Sequence, residues 1–169
     1  MNMTLPLNTV IDKWVDILSN SQEIKDFCNE KYGKDMKIFS GGNPNDPPKE
    51  ECCPFLMILP GSKEEGISQS SFFYTVYICV VIQQPNVISD GETDTTGDYT
   101  ESKFIQYAGI SEISDLGQLI YEVLQENLSQ YPISDFTEDV LPGTTFPQFA
   151  ANLTFVTEIE PSMGEEIIY

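Results

Sequence analysis

The 169-residue chain contains no histidine, and all eight of its basic residues are lysines, so arginine is absent as well. Without histidine there is no imidazole base, no Ser–His or Cys–His nucleophile pair and no histidine-ligated metal site. Without arginine there is no bidentate clamp for a phosphate or a carboxylate. These two absences exclude the commonest catalytic arrangements and favour a protein that is not an enzyme.

Two further kinds of segment are missing. The N-terminus shows no cationic stretch followed by an apolar run, so no secretory signal is predicted. The longest apolar stretch, Phe72 to Ile82, is too short for a membrane-spanning helix, which needs about 20 residues. We therefore expect a cytoplasmic protein with no membrane partner.

Four cysteines are present, and in a chain that is not exported they are expected to be free thiols. Cys28 and Cys79 fall on apolar faces and are interpreted as small core residues. Cys52 and Cys53 form a vicinal pair whose role stays open. Because the chain has no CxxC motif and no histidine, a zinc site is not predicted.

Acidic residues dominate the charge, with 27 carboxylates against eight lysines for a net charge of −19. Residues 1–49 hold six lysines and seven acids, for a net of −1. Residues 50–103 hold two lysines and nine acids, for −7, and residues 104–169 hold eleven acids and no cation, for −11. Binding to DNA or to an anionic membrane needs lysine or arginine, so no direct nucleic-acid contact is predicted. The charge is either a solvated surface that keeps the protein soluble or one with a specific purpose.

Apolar periodicity predicts three helices and a set of strands. A helix over 9–18 carries Trp14 on its apolar stripe and has Thr9 and Asp12 at capping-box spacing. A second helix runs from a cap at Asn20 to Gly33, and a third covers about 111–129. Strands are predicted at 36–39, 55–59, 70–83, 104–107 and 149–159, with the second ended by Pro60-Gly61 and a loop over 41–48.

This order of elements predicts a single α+β domain over residues 1–169, with one mostly antiparallel sheet and helices packed on one face. Residues 85–101 are predicted to form an acidic loop or hairpin insertion. The strand 70–83 is apolar on both faces and belongs at the centre of the sheet, where it must be covered twice. Because few helices are available, we hypothesise that a neighbouring subunit supplies part of that cover.

Oxygen-bearing side chains from Asp90 to Glu101 occupy positions 1, 3, 5, 7, 9 and 12 of an EF-hand-like loop. Position 6, which needs glycine for the sharp turn, is Thr95, and the flanking segments are not helical in pattern. The segment 90–101 is therefore interpreted as a solvated loop, with structural calcium as the alternative.

Carboxylate pairs that could perform acid–base chemistry occur at Glu64-Glu65, Glu138-Asp139 and Glu165-Glu166, all in predicted loops or tails. Nothing around Lys63 or Lys103 supports a Ser–Lys dyad. The sequence has no GxSxG elbow, no phosphate-binding P-loop and no GxGxxG motif. We therefore predict no catalytic, cofactor-binding or metal-binding residues and no cofactor.

Several features occur together in one order along the chain. They are the helix around Ile11-Asp12-Lys13-Trp14, the loop 43–48 leading into Cys53-Pro54-Phe55, the strand 72–83, the helix 113–128 and Phe146-Pro147-Gln148-Phe149 before a last amphipathic strand. This arrangement resembles the tail-terminator, or tail-completion, proteins among the minor tail proteins of long-tailed bacteriophages and prophages. The resemblance implies a structural subunit without an active site, which forms a ring that caps the tail tube and offers a surface to the head. It also implies other tail or head–tail connector proteins as partners, with assembly in the host cytoplasm and residence in the virion tail.

Two charge features are compatible with such a ring. A head-to-tail ring needs two different complementary patches, which the near-neutral first third and the acidic last third could supply. An acidic channel wall would also repel the phosphates of passing DNA. The alternative from another class is an acidic binding module, such as a DNA mimic, although the polar row Asn152, Thr154, Glu158 and Glu160 is sparse for that role. A small carboxylate hydrolase would require two of the paired acids in one concave site.

Overall fold

The computed structural model describes residues 5–66, 71–90, 92–94, 101–129, 131–141 and 146–160. The helices are α1 (Leu7–Asn20), α2 (Gln22–Tyr32) and α3 (Ala108–Asn127), and a short 3-10 helix covers Glu50–Cys52. The strands are β1 (Lys37–Ser40), β2 (Phe55–Glu65), β3 (Phe72–Gln83), β4 (Val87–Ser89), β5 (Glu92–Asp94), β6 (Ile105–Tyr107), β7 (Ile133–Leu141) and β8 (Gln148–Ile159).

Five of the strands form the main sheet, in the order β1-β2-β3-β8-β7. β1 runs parallel to β2, whereas the pairs β2–β3, β3–β8 and β7–β8 are antiparallel. β3 lies at the centre, as its doubly apolar sequence predicted. With helices on one face of this sheet, the predicted α+β class is confirmed. Within the predicted insertion at 85–101, β4 and β5 pair antiparallel, as in the hairpin alternative, and with β6 they form a second, three-stranded sheet in the order β5-β4-β6.

The core lies between the main sheet and the three helices. Alternate residues of β3, from Tyr74 to Ile82, point toward the helices and are almost fully buried. Trp14 of α1 is fully buried and meets Phe155 of β8 edge to face, with ring centroids 5.2 Å apart. α1 contacts β1 and β2, while α3 crosses β3, β8 and β7. Trp14 is therefore a core residue, as predicted.

The helix boundaries differ from the predicted ones at two caps. α1 begins at Leu7, directly after Pro6, so Thr9 lies inside the first turn and caps nothing. α2 is capped by Ser21 rather than Asn20, because the backbone N–H of Ile24 donates to the Ser21 hydroxyl at 3.3 Å. Gly33 ends α2 with φ of 70°, the left-handed conformation that glycine adopts without strain.

The prediction that Pro60-Gly61 ends β2 is wrong, because the strand continues to Glu65. Its register shifts between Pro60 and Lys63, as expected for a bulge. β1 reaches only to the level of Ile58, so Pro60 lies where β2 has a strand partner on one side only, and proline is tolerated there. A side chain at Gly61 would meet the carbonyl oxygen of Thr75 at 2.6 Å, so the bulge requires glycine.

β7 was not predicted from the sequence. Its nine residues pair with β8 alone and form one edge of the main sheet. Most of its side chains are exposed or half-buried, and they include Asp135 and Asp139. An edge strand of this polarity lacks the apolar signal by which a buried strand is recognised.

The face of the sheet away from the helices is only partly covered. On β3 this face carries Phe73, Tyr77 and Val81, and Tyr77 is 45% exposed. Over β2 the chain supplies its own cover, since Gly42 of the loop after β1 lies against Met57 and Leu59. The proposed contribution of a neighbouring subunit to this face stays a prediction.

Candidate functional site

Most of the exposed large hydrophobic side chains among the described residues lie in one short stretch of the chain or at Phe146, which contacts it. Seven large hydrophobic side chains of the described residues are exposed, and five of these lie between 104 and 110 or at Phe146. We call these five the exposed apolar cluster: Phe104, Ile105, Tyr107, Ile110 and Phe146. Phe104 is 59% and Ile110 is 52% exposed. Scattered surface hydrophobics are ordinary, whereas four within seven positions of the chain, together with Phe146, which contacts Tyr107, are a candidate interaction site.

The cluster is held against the body of the protein by aromatic contacts. The rings of Tyr107 and Phe146 lie 5.5 Å apart, and Phe146 lies 6.3 Å from Phe149, whose ring packs on α3. The contact of Phe149 with α3 is close because residue 109 is glycine; a Cβ there would fall 2.1 Å from the Phe149 ring. The exposed apolar cluster is thus connected to the hydrophobic core through Phe146 and Phe149.

Gln84 ties the same region together through polar contacts. Its side-chain nitrogen donates to both carboxylate oxygens of Glu112 on α3, each at 2.9 Å, and its side-chain oxygen accepts from the backbone of Asn86 at 3.1 Å. The Gln84 backbone N–H donates to the carbonyl of Pro147 at 2.9 Å. Because Gln84 is buried, these bonds fix the small sheet and residue 147 relative to the start of α3.

A cleft of about 370 Å³ opens at the other edge of the main sheet, between α1, α2 and β1. Its apolar lining comes from Val15, Leu18, Ile24, Met36 and Ile38. The charged residues at the cleft are Lys25, Lys37 and Asp35, so it carries two cations and one anion. In a chain with a net charge of −19, this is an unusually cationic environment. β1 pairs only with β2 among the described strands, so its second edge is open beside the cleft.

Asp90, the first residue of the predicted calcium loop, has a structural role. Its carboxylate accepts hydrogen bonds from the backbone N–H groups of Lys103 and Phe104, at 3.2 and 3.1 Å, and closes the base of the small sheet. Residues 91 and 95–100, on which most of the calcium prediction falls, lie outside the described residues. Within the ranges that the structure describes, no three His, Cys, Asp or Glu side chains are placed to hold a metal ion.

Two of the three carboxylate pairs were wrongly assigned to loops or tails. Glu64 and Glu65 lie on β2, and Glu138 and Asp139 lie on β7. Neighbouring strand residues point to opposite faces, so neither pair can act on one substrate atom. The third pair, Glu165-Glu166, lies outside the described residues.

Of the two lysines considered for a Ser–Lys dyad, Lys63 makes structural contacts through its side chain and Lys103 through its backbone. Lys63 donates to the carbonyl oxygen of Leu5 at 3.0 Å and lies over the rings of Phe72 and Tyr74, at 5.0 and 5.5 Å from their centroids. The backbone of Lys103 is bound by Asp90 as described above. The contacts of Lys63 give its ammonium group a role in the fold.

All four cysteines are free thiols in the structure, in agreement with the prediction. Cys28 is a buried core residue, but Cys79 is half-buried on the sheet face away from the helices, so its assignment to the core is corrected. Burial, together with the Asp35 carboxylate, raises the pKa of the Cys28 thiol to about 12. Burial also raises the pKa of Cys53 and of Cys79. At neutral pH these three groups are protonated and are therefore poor nucleophiles.

Glu138 is a carboxylate in an unfavourable position beneath α3. Its Oε1 atom is buried without a hydrogen-bond partner among the described residues, and Oε2 accepts from the Ser114 hydroxyl at 3.3 Å. A side chain at Gly117 would lie only 2.7 Å from Oε1. Burial raises the pKa of Glu138; the Ser114 hydrogen bond opposes this and the nearby Asp115 charge adds to it.

Glu138→Gln is expected to stabilise the protein at neutral pH. Because the folded state raises the pKa, ionisation of Glu138 costs stability as the pH rises above the ordinary glutamate value. The side chain is only half-buried, so we expect a rise in Tm of about 1–3 °C at pH 7, which shrinks as the pH approaches 4. Thermal unfolding followed by circular dichroism measures it. Asp139→Asn, which removes the same charge from the exposed face, is the control. An equal rise in Tm at pH 7 and near pH 4 would contradict the inference that the ionised Glu138 carboxylate destabilises the fold.

Comparison of the sequence with models of known protein families gives no match, and comparison with curated proteins gives none either. Among the residues placed in the structure, no helix combines the length and apolarity needed to cross a bilayer.

The sequence prediction missed both the exposed apolar cluster and the cleft. Ile110 lies three residues before Ile113 and fits the apolar stripe of α3, yet it is exposed. Nothing in the spacing separates it from the buried members of that stripe. The cleft depends on how α1 and α2 pack beside β1, which no local pattern encodes.

Proposed function

We propose that this protein is a structural subunit that associates head to tail with copies of itself into a ring, as a tail terminator of a long-tailed phage or prophage. The observation that carries the proposal is the exposed apolar cluster on an otherwise strongly acidic chain. A monomer with a net charge of −19 has no solubility reason to expose five large hydrophobics together.

The position of the surfaces supports a head-to-tail contact over a symmetric one. The exposed apolar cluster lies by the ends of β3 and β8, whereas the cleft lies at the β1 edge of the sheet. Two different surfaces on one subunit generate a ring when the rotation closes and a filament when it does not. A terminator must stop polymerisation, so closure is the outcome that this function requires.

The charge is consistent with a ring through which DNA passes. Phosphates bind to clusters of lysine and arginine, and the last third of this chain contains neither. A ring whose inner wall includes such a segment would let DNA slide without holding it. The proposal therefore includes contacts with other tail or connector proteins but no direct nucleic-acid binding.

The alternative is an acidic binding module that mimics DNA. The feature that favours it is the pair of exposed carboxylates on one face of β7, although their spacing does not. Asp135 and Asp139 lie on the same face, but four residues apart along an extended strand, which is about 13 Å. This separation is wide compared with the step between neighbouring phosphates along a DNA strand. A DNA mimic would be a monomer or a dimer.

Native mass spectrometry of the full chain tests the proposal. The protein concentration should span about 1–50 µM, a range that covers typical protein–protein affinities. We expect one closed oligomer of fixed size above a threshold concentration. A strictly monomeric protein across the range would contradict ring formation and favour the binding module. In a phage or prophage that carries the gene, its deletion is expected to give tails of irregular length without heads, as seen by electron microscopy.

A further inference from the structure

We propose that the exposed apolar cluster of one copy inserts into the cleft between α1, α2 and β1 of the next copy. This inference rests on the proposed ring and identifies the two surfaces that would form its repeated contact. Each copy would contribute its cluster to one neighbour and its cleft to the other.

The two surfaces match in apolar character and size. The most exposed members of the cluster are Phe104 and Ile110, and the apolar lining of the cleft includes Met36 and Ile38. A volume of about 370 Å³ admits one or two such side chains, while the rest of the cluster covers the rim. Burying aromatic and aliphatic anchors in a pocket is the arrangement that gives most interfaces their affinity.

The two surfaces also match in charge. The cluster is flanked by three exposed acids of the small sheet and its connection, Asp90, Glu92 and Glu101, against the one exposed cation Lys103, so its surroundings have a net negative charge. The cleft carries Lys25 and Lys37 against the single acid Asp35. Residues 50–169 carry a net charge of −18 and repel an acidic partner, so this cleft in the near-neutral first third is a favourable place for it to dock.

The cleft that receives the cluster belongs to a second copy, because the cluster cannot reach the cleft of its own chain. Phe146 and Tyr107 are joined to the core through Phe149, and Gln84 ties the small sheet to α3. β2 and β3 separate β1 from β8, a lateral distance of about 14 Å at the usual strand spacing. Intramolecular insertion would break these contacts.

Two variants that each disable one surface test the contact. Ile110→Glu places a charge in the cluster, and the double variant Lys25→Glu with Lys37→Glu reverses the charge at the cleft. Each is expected to raise the concentration at which half of the protein assembles by about 30-fold or more, the effect of losing one dominant contact. The matched controls are Val140→Glu, another exposed hydrophobic, and Lys13→Glu with Lys31→Glu, the same charge change on exposed positions of α1 and α2. Both controls should assemble as the unmodified protein does, and circular dichroism should show every variant folded.

Mixing the two disabled variants gives the sharpest result. Each retains one intact surface, so an equimolar mixture should form a one-to-one dimer of the two variants and nothing larger, as read by native mass spectrometry. If the variants assemble normally, or if the mixture gives no dimer while the unmodified protein forms rings, the contact is overturned and the ring stands. In that case the cleft is left for a different partner. If the unmodified protein is monomeric, both the ring and the contact are overturned.

Discussion

Replacing Trp14 with alanine is expected to cost about 3–5 kcal/mol of folding free energy, the range for truncating a large aromatic in a packed core. Trp14 is fully buried at the junction of α1 with the sheet, and its ring contacts Phe155 at 5.2 Å between centroids. The elements around it are held by other buried core residues, among them Leu18, Ile78 and Ile120, so the cavity left behind cannot fully collapse. In thermal unfolding followed by circular dichroism, Tm should fall by about 6–20 °C.

Trp14→Phe is the matched control, because it keeps an aromatic ring against Phe155. It also removes the indole Nε1, which is buried with no hydrogen-bond partner among the residues that the structure describes. The loss in Tm should therefore be less than half of that for alanine. If the two substitutions have equal effects, the contribution of Trp14 does not come from filling the core. All variants should be compared at one protein concentration, since association raises apparent stability.

Gly109→Ala is expected to destabilise the protein by about 1–3 kcal/mol through overpacking. The added methyl group would lie 2.1 Å from the nearest carbon of the Phe149 ring, so that ring or the start of α3 must move. Alanine favours helix by up to about 1 kcal/mol over glycine, which offsets only part of this cost. The expected fall in Tm is about 2–12 °C.

The control for this change is Gly42→Ala, where a new Cβ would find its nearest neighbour at an ordinary 3.6 Å from Met57. It should change Tm little. Combining Gly109→Ala with Phe149→Leu should recover part of the loss, because a smaller side chain makes room for the methyl group. A Gly109→Ala protein as stable as the unmodified one would show that α3 does not need this close approach. Because Phe149 also contacts Phe146, disturbing it is expected to weaken the exposed apolar cluster too.

Apolar periodicity predicted the elements that lie in the core. β3 is apolar on both faces, and α3 has a regular stripe of buried apolar residues; burial of these residues holds both elements in place. The same reasoning placed Trp14 in the core and Gly33 at the end of α2. In these elements the local pattern and the tertiary packing favour the same structure.

The prediction failed where tertiary partners override local signals. Pro60 and Gly61 ordinarily end a strand, but pairing with β3 and a bulge at this position carry β2 onward. β7 has Asp135, Glu138 and Asp139 within five positions, and only its pairing with β8 makes it a strand. For the small sheet β5-β4-β6, the strand at 104–107 and the hairpin alternative for 85–101 were predicted, but the pairing of β4 with β6 was not, because strands of three residues carry little periodicity.

The candidate surfaces were beyond sequence reasoning for a different reason. A side chain at helical spacing is expected to be buried, and only the path of neighbouring elements decides whether Ile110 is covered. The residues that build the cleft come from α1, α2 and β1, and their convergence is a property of the packed chain. Composition alone did favour an acidic, non-catalytic protein, and the function proposed above starts from that point.

The free edge of β7 leaves a row of backbone donors and acceptors without a strand partner among the described residues, a template onto which another extended chain can be added. At neutral pH the carboxylates of Asp135 and Asp139 keep other acidic chains away from it. Near the isoelectric point of about 4.1, the net charge of the chain falls to zero and copies of the protein no longer repel one another. On acidification we therefore expect copies of the protein to pair through the β7 edge and to precipitate.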